Sequence, residues 1–573
     1  MKSIKKLWKI LDKKEKLFFF IILFFFLVQA LLEIVSLASI IPFITALLNP
    51  ESLKEFTYFK YFEKLLPTKN LVDQLPLFAF IFFLFFLIKS ISLILIYKII
   101  FQFVYKLKRN VLLKILKKYL HQNYSYFIKN PFSKLSTNIN NEIQNFVINF
   151  VHAFLILLSE LIIFCSIIFL VILSGNIKAI LFLLPFVFLI ILIIKRLNKN
   201  IKKWTENRVF NERQANSNFF QIILGIKEVI LIGKIKKLLK NFEKIYQNLA
   251  QIVIKQSIIQ TLPRPILEVF AIGTFVVFLL FFYYEGVPNK EIIVILSFYL
   301  AVSYRLLPSM NKIFVHYQKI KFGKVSLNII YDDIKLEDKL IYEIESKNKL
   351  NFDKNIELKN ICFGFNKEKN ILKNIDFKLN KNEIIGFYGE SGSGKSTFLN
   401  IFCSLIKPNS GKILLDQNEI SDKITIRKFQ NLISFISQDT FLIDDTIKNN
   451  ILFGSEKIFD EKNFENALEF SRVNIFLKEL PDGIDTVIGT NSKKISSGQK
   501  QRIAIARLVY NAREILIFDE ATNALDEYNE KQIINNIMNL KSKKTVVIVS
   551  HNKNNLKLCD KIYEIKNESI ILK

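Results

Sequence analysis

The chain has 573 residues, enough for two or more domains that each bury a core. It is 51% hydrophobic with 56 Phe, and the apolar excess sits in the first 320 residues, which excludes an ordinary soluble protein. The formal charge of +29 comes from a chain rich throughout in Lys, and its basic residues collect beside apolar segments instead of forming a recognition module, which excludes a nucleic-acid partner.

In chain order, MKSIKKLWKILDKKEK is basic, but the apolar run after it is too long for a signal-peptide core and lacks a small-residue cleavage site. It reads as a retained first span. Six stretches reach the roughly 20 apolar residues that a spanning helix needs, at about 17–48, 77–104, 144–173, 178–194, 257–284 and 291–319. Between the first two, Leu53, Phe56, Phe59, Phe62 and Leu66 recur at helical spacing, which predicts an amphipathic helix on the external face. The segments 105–143 and 195–244 are strongly basic, whereas 49–76 is balanced in charge. Positive-inside reasoning places both termini and the two basic segments in the cytoplasm. Turns near Tyr126-Phe127 and Ile226–Ile230 are then expected to lie on a soluble domain. The four cysteines, Cys165, Cys362, Cys403 and Cys559, form no CxxC pair, so neither a zinc site nor a disulfide framework is indicated.

The expected domains are a membrane domain over 1–320, a polar linker over 321–354 and a soluble domain over 355–573. From Ile356, short β-type runs alternate with helical stretches, which predicts an α/β domain with a largely parallel sheet.

The strongest motif is Gly389-Glu390-Ser391-Gly392-Ser393-Gly394-Lys395-Ser396, followed by Thr397. It fits G-x-x-x-x-G-K-[ST] and stands between a strand-like run, Ile384–Tyr388, and a helical one. Backbone N–H groups there can close around phosphate oxygens, Lys395 can neutralise β/γ charge, and Ser396 can ligate Mg²⁺. Downstream, Glu514–Phe518 leads into Asp519-Glu520. An apolar strand ending in paired carboxylates suits a metal ligand, Asp519, beside a base for the attacking water, Glu520. Alone, such a pair is usually a solvated turn; the phosphate loop upstream reverses that reading.

Ile495-Ser496-Ser497-Gly498-Gln499, then Lys500-Gln501-Arg502, resembles the signature LSGGQ-x-QR of the ABC transporter family. The phosphate loop, signature, carboxylate pair and Ser550-His551 occur in that family's order. The resemblance implies an exporter-type membrane α-helical domain with six spans, fused to an α/β P-loop NTPase that binds ATP and Mg²⁺. It also implies that Gln438 senses Mg²⁺ and the γ-phosphate, that His551 contacts the γ-phosphate, and that Ala524-Leu525-Asp526 forms the D-loop. Phe365 stands at the place of the adenine-stacking aromatic, usually Tyr. Ile495 replaces Leu and Ser497 replaces a glycine of the signature, whose added hydroxymethyl could slow turnover. In the family, one signature covers nucleotide held by another copy's phosphate loop. A chain with one of each, and six spans where exporters use twelve, implies a homodimer.

Charges inside spans are costly, about 2.5–3.5 kcal/mol each, and mark function by default. Lys89, Arg264 and Arg305 lie in predicted spans, with Glu33, Glu160 and Glu268 as acidic counterparts. Either these pair to hold helices together, or the cations line a cavity for an anionic head group. The stretches EIVSLASIIPFI and AVSYRLLPSMNKI, with the external helix, resemble the PglK-type bacterial flippases of lipid-linked oligosaccharides. That implies movement of a polyprenyl-pyrophosphate glycan across the inner membrane for protein N-glycosylation, with Lys89, Arg264 and Arg305 as substrate residues. Exporters of lipid A-type lipids, peptides or drugs are the alternative, and an ATP-gated channel or regulator is an alternative of another class.

Overall fold

The structure is a computed structural model and describes residues 2–40, 43, 71–173, 201–286, 289–340, 350–365, 370–455, 458–489 and 494–573. Two predicted features, the fourth span at 178–194 and the external helix around Phe56, lie outside the described residues. The chain divides into two compact units. One comprises Met1–Leu120 and Asn130–Glu337; the other comprises His121–Lys129 and Asp338–Lys573.

The first unit is helical: α1 (Lys2–Ile10), α2 (Lys13–Ala38) and α3 (Leu71–Leu120) come first. After the short α4 (Tyr124–Lys129), which belongs to the second unit, comes α5, which opens as Phe132–Thr137 and closes as Ala153–Leu173. Then follow α6 (Ile201–Leu224), α7 (Ile226–Ile232), α8 (Ile235–Thr261), α9 (Pro263–Tyr284) and α10 (Asn289–Ile334). Among the described residues, four helices are long and apolar enough to cross a membrane: Lys13–Ala38, Ala79–Leu120, Phe132–Ile172 and Ile235–Tyr284. The pair α6–α7 adds a fifth candidate if it is counted as one span, although it bends by 75°. That bend falls at Gly225, and α7 ends at Gly233 with φ +68°, a left-handed conformation that glycine adopts without strain.

Helix α2 shows why these segments are apolar all round. Phe19, Ile22, Phe26, Ala30, Glu33 and Leu37 are buried, whereas Phe20, Phe24, Leu27 and Leu31 on the other face are exposed, as in a helix with one face to protein and one to lipid. The inner faces of α2, α5, α9 and α10 meet through Leu37, Ile163, Ile167, Leu267, Leu306 and Met310. Inside α5, Asn138–Glu142 and Phe146–His152 are π-helical, and α10 crosses there at Gly323. A Cβ on Gly323 would stand 2.7 Å from the Asn149 carbonyl carbon and the Phe150 nitrogen, so the two backbones approach in a way only glycine permits. Beside this crossing Glu142 is fully buried, 3.4 Å from Arg208 and accepting a hydrogen bond from Ser326 Oγ at 2.5 Å.

The segment expected as a linker, 321–354, begins inside a helix. Helix α10 runs on to Ile334, because Phe322, Leu327, Ile330 and Tyr331 recur at helical spacing and are buried despite the charges between them. The sixth predicted span falls inside α10, which also carries Arg305, Asn311, Lys312 and Lys319 and is not among the four helices above.

The second unit has two sheets. A six-stranded sheet is ordered β10-β9-β3-β8-β7-β6, where β3 is Ile384–Tyr388, β6 Ile433–Ile436, β7 Ile515–Asp519, β8 Thr545–Val549, β9 Lys561–Lys566 and β10 Ser569–Leu572. All its pairings are parallel except β9–β10. Strands β7 and β8 are buried along their whole length, as expected for parallel strands covered on both faces. A separate antiparallel sheet, β2-β1-β4-β5, uses Leu372–Asn380, Asn355–Phe363, Ser410–Leu415 and Asn418–Glu419, so the largely parallel expectation holds for one sheet of two. Its apolar side joins β3 in a core built on Phe377, Phe387, Phe398 and Phe402.

Candidate functional site

Parallel register brings the predicted motifs to one edge of the large sheet. Val549, at the end of β8, pairs with Phe387 of β3 on one side and Asp519 of β7 on the other. The segments leaving β3, β7 and β8 therefore emerge together, and they are the phosphate loop, Glu520 and Ser550-His551. The strand on the other side of β7, β6, leads to Gln438.

The phosphate loop turns from β3 into α11 (Lys395–Phe402). Gly392 (φ +81°) and Gly394 (φ +102°) hold left-handed conformations, and a Cβ on Gly389 would lie 2.5 Å from the Ile565 carbonyl oxygen. Lys395 Nζ donates to the Gly389 and Glu390 carbonyls at 2.7 and 3.0 Å, folded into the loop. Burial lowers its pKa, while Glu520 and Asp519 oppose that shift. The Ser393 Oγ is buried without a hydrogen-bond partner. Glu390, Ser391 and Ser396 are exposed and Thr397 half-buried at the same loop. Phe365 is 54% exposed, with its ring edge-on to Phe363.

Asp519 and Glu520 are both buried. Burial, then the like charge of Glu520, pushes the Asp519 carboxyl up to about 6 against the pull of Lys395 and His551. Glu520 takes φ +53°, a strained conformation of the kind that gathers at functional sites. Its Oε2 accepts from Gln438 Nε2 and from Asn523 Nδ2, each at 2.9 Å, and its Oε1 lies 2.7 Å from His551 Nε2. The three predicted catalytic residues, Glu520, His551 and Gln438, thus meet in one cluster. Asn523 completes it, a member that sequence reasoning missed.

The signature begins α12 (Ser497–Tyr510). Ser496 Oγ accepts from the Gln499 backbone N–H at 3.1 Å, and the Gln499 side chain accepts from the Ser496 N–H at 2.9 Å, a capping box. Ser497 is exposed, so its added hydroxymethyl stands open to solvent within the chain. A Cβ on Gly498 would stand 2.9 Å from the Ala524 carbonyl oxygen, and the Ala524 N–H donates to Gln501 Oε1 at 2.9 Å, so the signature helix and the D-loop are fastened together. Among the described residues, no hydrogen bond or ion pair links residues 495–499 to residues 389–397.

These residues fit a magnesium nucleotide. The cradle closes where a side chain at Gly389 would intrude, Ser393 holds an orphaned hydroxyl, and Asp519 is a carboxyl whose ionised form a divalent cation would favour. Ser396 and Gln438 are the other oxygen donors for such a cation.

In the helical unit, a cavity of about 780 Å³ is lined by Leu37, Phe86, Phe275 and Leu307, with Glu33, Lys89, Glu268 and Arg305 as its charged members. The intramembrane charges pair with one another. Lys89 lies 3.0 Å from Glu33 and donates to Ser36 Oγ at 2.9 Å; Arg305 bridges Glu33 and, at 4.0 Å, Glu160; Lys312 lies 2.8 Å from Glu160. Arg264 does not join this group: it pairs along its own helix with Glu268 at 2.9 Å, is largely exposed, and does not line the cavity. Of the three predicted substrate residues, the structure brings together Lys89 and Arg305.

A model of the ABC transporter transmembrane region matches residues 18–303, and a model described as ABC transporter matches 372–523. The ATP-dependent lipid A-core flippase 2 of Colwellia psychrerythraea is 29% identical over 384 residues, 67% of this chain and 65% of that protein. The ATP-dependent lipid A-core flippase of Photobacterium profundum is 28% identical over 385 residues, 66% of this chain and 64% of that protein. The chain thus spans a little under two thirds of the length of these relatives. A solved bacterial Atm1-family ABC exporter with ATP bound shares the fold, with a TM-score of 0.78 at 18% identity over 95% of this chain and 93% of that one. With a membrane region and an ATP-binding region of the same family joined in one polypeptide, the chain belongs to the ABC transporters, as an exporter-type transmembrane domain fused to an ABC ATPase domain.

Proposed function

We propose that this chain is one half of a homodimeric, ATP-hydrolysing flippase that moves a lipid-linked oligosaccharide to the periplasmic leaflet of a bacterial inner membrane. Its termini and ATPase domain are then cytoplasmic, as the basic segments 105–143 and 195–244 argue. The observation that carries the reading is the helical unit's cavity, whose apolar walls suit a polyprenyl tail and whose Lys89–Arg305 pair suits a pyrophosphate. The cavity's charged members balance, Lys89 and Arg305 against Glu33 and Glu268, so an incoming anion would compete with Glu33 for the two cations.

In the ATPase domain, the phosphate loop binds and Lys395 offsets phosphate charge. Ser396, Asp519 and Gln438 would hold Mg²⁺, which would supply neutralisation of phosphate charge. Glu520 takes the proton of the attacking water, and His551 turns to the γ-phosphate. Phe365 stacks on the base. Ser496, Ser497, Gly498 and Gln499 of one copy cover the nucleotide on the other. Glu520→Gln is expected to lower ATPase activity by about 10²–10⁴, and near-normal turnover would remove the general-base role.

The names of the relatives favour a second reading, in which the cargo is a lipid A-type glycolipid. Complementation separates the two. Rescue of glycoprotein formation in a glycosylation-flippase null strain supports the oligosaccharide, and rescue only of a lipid A-core flippase mutant overturns it. Arg305→Ala should abolish translocation and keep basal ATPase activity; unaffected flipping would return Arg305 to a structural part.

A further inference from the structure

Three side chains engage the Glu520 carboxylate, yet two of them have work elsewhere. Gln438 and His551 both engage Glu520 here, and both must leave it to reach the metal and the γ-phosphate. Asn523 is under no such demand. It sits three residues along the same turn, its backbone N–H donates to the Glu520 carbonyl at 3.3 Å, and its side chain donates to Oε2 at 2.9 Å. These bonds are local to one turn, so they persist when Gln438 and His551 move.

We propose that Asn523 is a positioning residue for hydrolysis, holding Glu520 by Oε2 so that Oε1, vacated by His551, faces the attacking water. The placement also links the base to the signature. Ala524, the next residue, is tied to Gln501 of α12, and Gly498 abuts the Ala524 carbonyl, so displacement of the signature helix moves the turn that aims Glu520. A general base gains from such aim because small misplacements of reacting groups are expensive, on the order of 10²-fold per ångström. This inference rests on the hydrolytic role of Glu520 proposed above.

The test is steady-state ATPase activity of the full chain in lipid nanodiscs, with ATP binding measured alongside. Asn523→Ala should lower kcat by about tenfold with KM for ATP unchanged. Asn523→Ser, which restores a donor on the same Cβ, should recover part of the loss. Asn523→Asp, isosteric but without the donor, should fall below the alanine variant and keeps the test open if Asn523→Ala does not fold. In a Glu520→Gln background, Asn523→Ala should add nothing, because it acts through that carboxylate. An unchanged kcat, a loss confined to KM, or a loss that multiplies with Glu520→Gln would each overturn the role of Asn523. Full activity of Glu520→Gln alone would instead remove the general-base reading.

Discussion

Removing one charge at a time from the cluster around Glu33 should produce an order of stabilities that contact counting would not predict. Glu33 is 1% exposed and is the shared partner of Lys89 and Arg305. In Glu33→Ala, those two cations face one another without an anion between them, and breaking a buried pair so that charge is left uncompensated costs about 3–5 kcal/mol. Arg305→Ala is different. Glu33 keeps Lys89 at 3.0 Å, and Glu160 keeps Lys312 and the Ser309 hydroxyl, each at 2.8 Å. No carboxylate is orphaned, so the loss should stay near that of a hydrogen bond to a charged group, about 1.5–3 kcal/mol. Lys89→Ala should resemble Arg305→Ala for the same reason. Thermal unfolding of the purified protein in nanodiscs gives the ranking, with Glu33→Ala least stable. If Arg305→Ala or Lys89→Ala proved less stable than Glu33→Ala, the carboxylate would not be the keystone and the pairing scheme would be wrong.

Three further outcomes follow from single contacts. Gly323→Ala should destabilise the membrane unit by about 1–3 kcal/mol, read as a lower unfolding midpoint, because its Cβ meets backbone atoms of Asn149 and Phe150 at 2.7 Å. Gly498→Ala should leave stability almost unchanged, since alanine favours a helix by about 1 kcal/mol over glycine. It should still lower ATPase activity at least tenfold, because the new methyl pushes on the Ala524 carbonyl at 2.9 Å. For Asp519, whose carboxyl stands at about 6, the free site is protonated below that pH while the metal takes the ionised form. Mg·ATP binding should therefore release a proton from this group at pH 5, less near pH 6 and almost none at pH 8. Calorimetry in buffers of different ionisation enthalpy measures this, and Asp519→Asn should abolish it.

What the sequence made legible was chemistry carried by local pattern. The phosphate loop could be read because Lys395 and Ser396 follow their glycines at fixed spacing between a strand and a helix. The Arg264–Glu268 pair is also legible, since Glu268 stands four residues on, the spacing of a pair along one helix face. Arg305 and Glu33 are 272 residues apart, and no local pattern announces that they touch. The π-helical turns of α5 leave no periodic trace, and neither does the close approach they make at Gly323. Asn523 escaped notice because its bond depends on the left-handed backbone of Glu520, a conformation that residue type does not foretell. The helix through residues 321–334 is hidden from charge counting, because burial of Phe322, Leu327 and Ile330 decides it.

The membership of His121–Lys129 in the soluble unit sets a timetable for biosynthesis. The His121 carbonyl accepts from the backbone N–H groups of Lys339 and Leu340, at 2.8 and 2.9 Å. Those partners are translated more than 200 residues later, which at about 5–20 residues per second is a wait of roughly ten seconds or more. During that interval the nascent segment must stay out of the bilayer while the intervening helices insert. Premature trapping of residues 121–129 by lipid or by a neighbouring helix would therefore block maturation of a domain that had yet to be synthesised.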